Sequence, residues 1–362
     1  MTDKEVRVGV VGTGGFANSV HMRGYQQHPR ANITGVCDIE IDRASRAART
    51  FGAEFITDDY NELIARDDID AIDIVTPNVL HAPVALAALK AGKHVICEKP
   101  LTMNYGEAQQ LERAAEEAGT VTGVNFSYRG HPAARYVQYL VSRGHIGRIF
   151  HVNAFYMQGW LSNPKTPIVW RLQKEMTGTG VLGDLGAHVI DLVEWMTGQK
   201  ITEVVADMTT FVKERPLADG SGMGQVDVDD GATFLSRLDG GGMGTFVSSR
   251  NATARGNYQR IEIYGDQGSL VYGFDDTNHI EAALGPVFVR EGQMLSIPVP
   301  ARFTPRDGGF GWTENVSNFI DAILDGKQMD PNFAHGIRNQ QVLEAVAMSA
   351  QERRWVSLPL KS

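Results

Sequence analysis

The chain has 362 residues, 43% hydrophobic and 21% charged, which suits an ordinary soluble globular protein of two domains. A formal net charge of -9 leaves no basic stripe to neutralise phosphates and argues against nucleic acid as a partner. The polar start Met1-Thr2-Asp3-Lys4-Glu5 runs straight into a first strand, and no apolar stretch reaches bilayer length. The expected setting is therefore the cytoplasm, with no membrane role. The two cysteines, Cys37 and Cys97, supply no metal framework and are expected to be buried, reduced thiols, so no metal site is expected.

Through Phe126 the pattern alternates: strands near 6–11, 33–37, 71–75, 94–97 and 121–125, and helices near 16–27, 42–51, 60–65, 79–91 and 104–118. Such alternation with short connections predicts a doubly wound parallel α/β sheet for residues 1–126. The first strand passes into Gly12-Thr13-Gly14-Gly15-Phe16-Ala17, a G-x-G-x-x-G/A dinucleotide pattern. Gly12 allows the tight turn, Gly14 lets backbone approach a pyrophosphate, and Ala17 lets the next helix pack close. The second strand ends in Asp38, whose carboxylate suits the adenosine ribose hydroxyls and repels a 2'-phosphate. NAD is therefore expected. Arg43 either pairs with a phosphate, which leaves NADP open, or lies on an exposed helix face.

Thr76-Pro77-Asn78 follows the third strand; Asn78 either caps the next helix or meets the cofactor, and Thr76 and Pro77 share that ambiguity. The run His94-Val95-Ile96-Cys97-Glu98-Lys99-Pro100 then delivers Lys99 to the carboxyl edge of the sheet, where open α/β sheets bind ligands. Pro100 biases Lys99 towards an extended backbone and a stiff turn.

After Phe126 the character changes, and residues 127–362 are expected to form a second domain for substrate binding and oligomerisation. A helix near 132–143 leads to an alternating strand, Ile149 to Met157. Further strands are expected at Ile201 to Val212, Val226 to Leu238, Met243 to Ser249, Gln259 to Tyr264 and Ser269 to Tyr272, making an α+β domain with a large, mostly antiparallel open sheet. Lys213 to Gly224, rich in Gly, Pro and Asp, is expected to be a mobile loop. Helices near 312–325 and 336–354 and a strand at Val356 to Leu360 close the chain.

The second concentrated signal is Gly178-Thr179-Gly180-Val181-Leu182-Gly183-Asp184-Leu185-Gly186-Ala187-His188. On a helix, Asp184 and His188 lie one turn apart on one face, and Gly183 and Gly186 leave that face open. A carboxylate beside an imidazole suits a general base near neutral pH. A capping aspartate and a satisfied core histidine remain the alternative.

Taken together, the glycine turn, Asp38, Glu98-Lys99-Pro100 and the Gly-Asp-His segment resemble the Gfo/Idh/MocA oxidoreductases. The resemblance also covers Thr76-Pro77-Asn78 with His81, Gly144-His145-Ile146-Gly147-Arg148, Trp170-Arg171 and Tyr264-Gly265-Asp266-Gln267-Gly268-Ser269. It implies an N-terminal Rossmann domain and NAD(P)-dependent oxidation or reduction of a sugar, anhydrosugar or polyol such as inositol. It places Gly15, Phe16, His81 and Glu98 with the cofactor-binding residues and puts Lys99, Asp184 and His188 on the catalytic positions. Lys99 would hold the reacting oxygen, His188 would take its proton, and Asp184 would orient His188 and meet a neighbouring hydroxyl. Tyr128, Arg129, Gln158, Trp160, Trp170 and Arg171 are the further candidates for substrate contact. A homodimer or homotetramer through the open sheet is expected. Two other readings stay open: an NAD-dependent glycosidase with transient redox chemistry, and a non-catalytic dinucleotide-binding regulator.

Overall fold

The structure, a computed structural model, describes residues 4–360. It divides into two compact units, one running to Ser127 and joined by Trp312–Gln340, the other Tyr128–Gly311 with the chain from Gln341 onward. Among the described residues no helix is long and apolar enough to cross a membrane.

In the first unit β1 (Val6–Val11), β2 (Ala31–Cys37), β3 (Phe55–Thr57), β4 (Ala71–Ile74), β5 (His94–Cys97) and β6 (Thr122–Val124) make one sheet in the order β3-β2-β1-β4-β5-β6. Every pairing is parallel, because helices such as Ile41–Phe51, His81–Lys90 and Tyr105–Ala118 carry the chain back between strands. This is the strand order of a doubly wound dinucleotide fold. Burial on both faces explains the near-continuous apolar strands: every residue of β4 and three of the four in β5 are buried. The helix Glu314–Asp325, from the C-terminal third of the chain, contributes Val316, Phe319 and Ile320 to this core. β3 is too short to read from alternation, and the expected helix at 16–27 is a π-turn, Ala17–His21, followed by an α-helix, Met22–Gln27.

The second unit is built on nine strands: β7 (Ile149–Met157), β8 (Ile201–Thr209), β11 (Gly231–Leu238), β12 (Met243–Ser249), β13 (Tyr258–Gly265), β14 (Gly268–Gly273), β15 (His279–Leu284), β16 (Leu295–Pro298) and β17 (Val356–Ser357), with β9 (Glu214–Pro216) and β10 (Met223–Gln225) as a separate ribbon. The pairing is antiparallel throughout the large sheet except between β7 and β12. Alternation is clean along β11 and β12, where Phe234 and Phe246 face inward and stack at 4.4 Å. The opposite face carries the cross-strand row Asn153, Thr245, Leu235 and Val205, with Phe155 and Val247 beside it.

Two sequence expectations are corrected here. Lys213 to Gly224 is not a mobile loop: it holds the β9–β10 ribbon, anchored by the fully buried Arg215, which donates to the carbonyls of Leu161 at 2.7 Å and Asn163 at 2.9 Å. Composition showed the turn residues but not that anchor. The strand expected over Val226 to Leu238 begins only at Gly231, because Val226 and Val228 are drawn into a small separate core with Leu161 and Leu172. Strands β15 and β16 were not anticipated.

Candidate active site

The glycine turn is built as its pattern requires. Gly12 has φ +91°, and a Cβ there would lie 2.3 Å from the Val75 carbonyl, so only glycine fits between β1 and β4. Gly14 and Gly15 have nothing within 4 Å of an added Cβ, which leaves their backbone open to a ligand. Asn18 donates to the carbonyls of Thr13 at 2.6 Å and Gly14 at 2.8 Å. Phe16 is partly exposed and sets its ring edge-on to those of His21 and Trp312. Ala17 is fully buried against the core, as close helix packing demands.

Asp38 stands at the end of β2 and is buried. Its Oδ2 accepts from both the N–H and the hydroxyl of Thr13 at 2.9 Å, and its Oδ1 accepts from the N–H of Glu40 at 3.0 Å. The carboxylate thus braces the turn it serves. Arg43 lies 3.5 Å from Asp38 and also pairs with Glu40, with its side chain partly exposed. An open glycine backbone with a fixed carboxylate at the next strand fits a dinucleotide.

Thr76 and Pro77 lead into a short 3₁₀ turn, Asn78–Leu80, in which Asn78 is buried. His81 is wholly internal, with Nδ1 2.8 Å from the Pro100 carbonyl and Nε2 3.0 Å from the Thr76 carbonyl. Burial pushes its pKa down while the two carbonyls oppose that shift, and the ring lies between the two loops that carry them. Lys99 follows in a half-buried position and precedes a cis Pro100.

Below Lys99 lies a chain of buried polar groups. His21, the last residue of the π-turn, sets Nδ1 2.9 Å from Asp73 and Nε2 2.9 Å from Glu98. Burial alone would lower its pKa, but the two carboxylates outweigh it and hold the imidazolium up to about 10. Asn125 donates to the same Glu98 oxygen at 2.6 Å, and the other Glu98 oxygen accepts from the Lys99 N–H at 3.2 Å. Glu98, expected at the cofactor, thus turns its carboxylate into the protein. Its pKa is lowered despite burial because His21, Lys99 and Asn125 favour the anion. The available signal was Asp73 in the apolar strand Ala71-Ile72-Asp73-Ile74: a carboxylate buried on both sides needs a cation. Burial also raises both thiols, Cys37 to about 12, so neither supplies a thiolate.

In the second unit the Gly-Asp-His segment is a π-turn, Leu182–Gly186, that continues as the α-helix Ala187–Thr197. The uniform helix expected there is therefore corrected, and π-turns of this kind often mark functional sites. His188 is buried, with its ring edge-on to Tyr128 at 4.6 Å and tilted against Tyr156 at 6.1 Å. The two phenols hydrogen-bond to each other, Tyr156 donates to Asn257 at 2.7 Å, and Gln158 donates to Asn257 at 2.8 Å. Burial pushes Tyr128 up to about 12 and also raises Tyr156 well above the usual phenol range, so both stay protonated where an imidazole titrates. Asp184 is a quarter exposed and has Arg250 at 3.7 Å.

The remaining candidates divide. Arg129 is buried in a fork with Asp191, its Nε 2.9 Å from the carboxylate, and belongs to the packing. Trp160 is partly exposed, and Arg171 is exposed with its guanidinium stacked on Trp170 at 4.2 Å, which leaves these three able to meet a ligand.

Residues 6–126 match the oxidoreductase family with an NAD-binding Rossmann fold, and residues 134–271 match the GFO/IDH/MocA C-terminal domain. The chain belongs to the Gfo/Idh/MocA oxidoreductase family. It is an NAD(P)-dependent oxidoreductase with an NAD-binding Rossmann domain. Levoglucosan dehydrogenase of Pseudarthrobacter phenanthrenivorans is 33% identical over 98% of this chain and 99% of its own length. Myo-inositol 2-dehydrogenase of Thermotoga maritima is 26% identical over 73% of this chain and 74% of its own. Among solved structures, an oxidoreductase domain protein from Kribbella flavida superposes with a TM-score of 0.91 at 35% identity, over 99% of this chain and 100% of that one. A levoglucosan dehydrogenase complex with NADH and levoglucosan gives 0.91 at 33% identity, over 98% of this chain and 100% of that one.

Proposed function

We propose that the enzyme oxidises a secondary hydroxyl of a pyranose or anhydropyranose with NAD, using Lys99, Asp184 and His188. The observation that carries the substrate class is the likeness, over 98% of the chain, to a levoglucosan dehydrogenase. The open Gly14 and Gly15 backbone, Thr13, Asp38 and the Thr76-Pro77-Asn78 turn would hold the dinucleotide, which when bound supplies the hydride acceptor. His188, seated on two phenols that do not compete for protons, takes the hydroxyl proton. The Lys99 ammonium donates to the same oxygen and stabilises its developing negative charge. Asp184 accepts from a neighbouring hydroxyl and fixes the ring's orientation. Trp160 and Trp170 offer apolar faces to the sugar. The Asp38 carboxylate favours NAD over NADP.

Turnover of a panel of anhydrosugars, pyranoses and inositols with NAD and NADP tests this reading, with levoglucosan and glucose first. Lys99→Met should abolish turnover and leave the NAD dissociation constant within about threefold, since the lysine acts on the reacting oxygen. A Lys99→Met enzyme that turns over normally removes the lysine from the mechanism.

The same reading includes a second copy of the chain on the outward face of the large sheet. That face pairs Val205 with Leu235 and Phe155 with Val247 across strands, with Thr245, Thr233 and Asn153 in the same rows, a mixed surface that a self-complementary twofold contact would cover. Leu235→Arg should shift the mass in light scattering from oligomer to monomer, and a monomeric parent at micromolar concentration overturns this assembly.

A further inference from the structure

Arg250 follows β12 and has no exposed side-chain surface. Its Nη2 donates to the Asp229 carbonyl at 3.2 Å and its Nη1 to the Arg171 carbonyl at 3.3 Å. Two neutral carbonyls do not balance a buried positive charge, and such a charge is costly without an anion. The Asp184 carboxylate stands 3.7 Å from Nη1.

Asp229 completes the arrangement from the other side. One of its carboxylate oxygens accepts from the Gly180 N–H at 2.6 Å and the other from the Leu182 N–H at 2.8 Å, while its carbonyl accepts from the Val181 N–H at 2.9 Å. These bonds clamp the chain that enters the π-turn. A Cβ on Gly180 would lie 2.0 Å from the Asp229 carbonyl oxygen and 2.7 Å from Arg250 Nη2, so the glycine is required for the turn to settle onto this pair. The Asp229 carboxylate also feels the Arg250 charge but is buried and engaged by backbone N–H groups, whereas Asp184 is the neighbouring carboxylate that is partly exposed.

We propose that Arg250 is a positioning residue for the oxidation and acts through Asp184, holding its carboxylate aimed at the substrate while Asp229 fixes the turn that carries it. The inference rests on the role given to Asp184 above. It assigns a function to a buried arginine about 60 residues downstream in a different element, which no local motif connects to the Gly-Asp-His segment.

The test is a double-mutant cycle on whichever panel sugar turns over fastest, with kcat, KM and the NAD dissociation constant measured for the parent, Arg250→Gln, Asp184→Asn and the double variant. Arg250→Gln should lower kcat about tenfold or more with NAD binding unchanged, and should cost less than about twofold once Asp184 is already Asn, because coupled residues are not additive. Arg250→Lys, which keeps the charge and loses the fork, should recover part of the lost turnover. If Arg250→Gln does not give a cooperative melt, Arg250→Lys takes its place in the cycle and the same comparison decides. Equal losses in both backgrounds, or an Arg250 variant with parental kcat, overturn the proposal while leaving the Asp184 role standing. An Asp184→Asn enzyme with parental turnover overturns both.

Discussion

His21 and His131 are each fully buried, one in each unit, and their surroundings push their pKa values in opposite directions. His21 sits between Asp73 and Glu98 and is held as an imidazolium up to about 10. His131 is surrounded by the rings of Tyr272, Phe274 and Phe310 at 5.2–6.0 Å, and burial pushes its pKa down to about 4. Burial alone therefore does not set the charge of an interior histidine. Its partners do: the first unit spends a charged network beneath the lysine loop, whereas the second packs its imidazole as one more aromatic ring.

The largest effect expected from breaking this contrast is at His21. His21→Leu strands two buried carboxylates and should cost about 3–5 kcal/mol in urea unfolding, whereas His131→Leu should cost less than about 1.5 kcal/mol. Similar losses at both sites would mean that the charge difference has no energetic weight.

The pH dependence of stability sharpens the same contrast. The folded pKa of His21 lies above the unfolded value near 6.5, so its contribution is complete below about pH 6.5 and is lost as pH rises towards about 10. For His131 the folded value lies below the unfolded one, so the unfolded chain gains the extra proton and stability falls as pH drops from about 6.5 towards 4. Melting curves should show His21→Gln flattening the alkaline side between about pH 6.5 and 10, and His131→Leu flattening the acidic side between about pH 6.5 and 4 while leaving the alkaline side as in the parent. An unchanged alkaline limb in His21→Gln, or an unchanged acidic limb in His131→Leu, would refute the assignment.

Asp38 extends the comparison to a buried carboxylate that accepts its closest bonds from the neutral Thr13 and Glu40 groups, with Arg43 at 3.5 Å. Asp38→Ser removes the brace on Thr13 and should cost about 1 kcal/mol of stability, and it should narrow the NAD to NADP ratio of kcat/KM by roughly tenfold. An unchanged ratio would show that another group selects the cofactor. The smallest effect belongs to Arg43, whose side chain is 38% exposed: Arg43→Ala should change stability by less than about 1 kcal/mol, as exposed ion pairs do. A larger loss in thermal melts would place Arg43 with the buried charges.

The amino-acid sequence by itself determined what depends on neighbours along the chain. The glycine turn at Gly12, the parallel sheet, the Asp38 strand end, the buried cysteines and the antiparallel character of the second unit all follow from local pattern, because φ restrictions and burial period act over a few residues. Tertiary structure alone decided the partners of the buried charges. His21 meets Asp73 and Glu98 across 52 and 77 residues, and Arg250 reaches the π-turn residue Asp184 from the end of a strand, so neither pairing leaves a periodic trace. The same holds for Arg215, which turned an apparent loop into a ribbon, and for the π-turns, where the following side chains are re-aimed by packing. A desolvated charge must find its counter-charge in space, and which residue answers is settled only when the chain has folded.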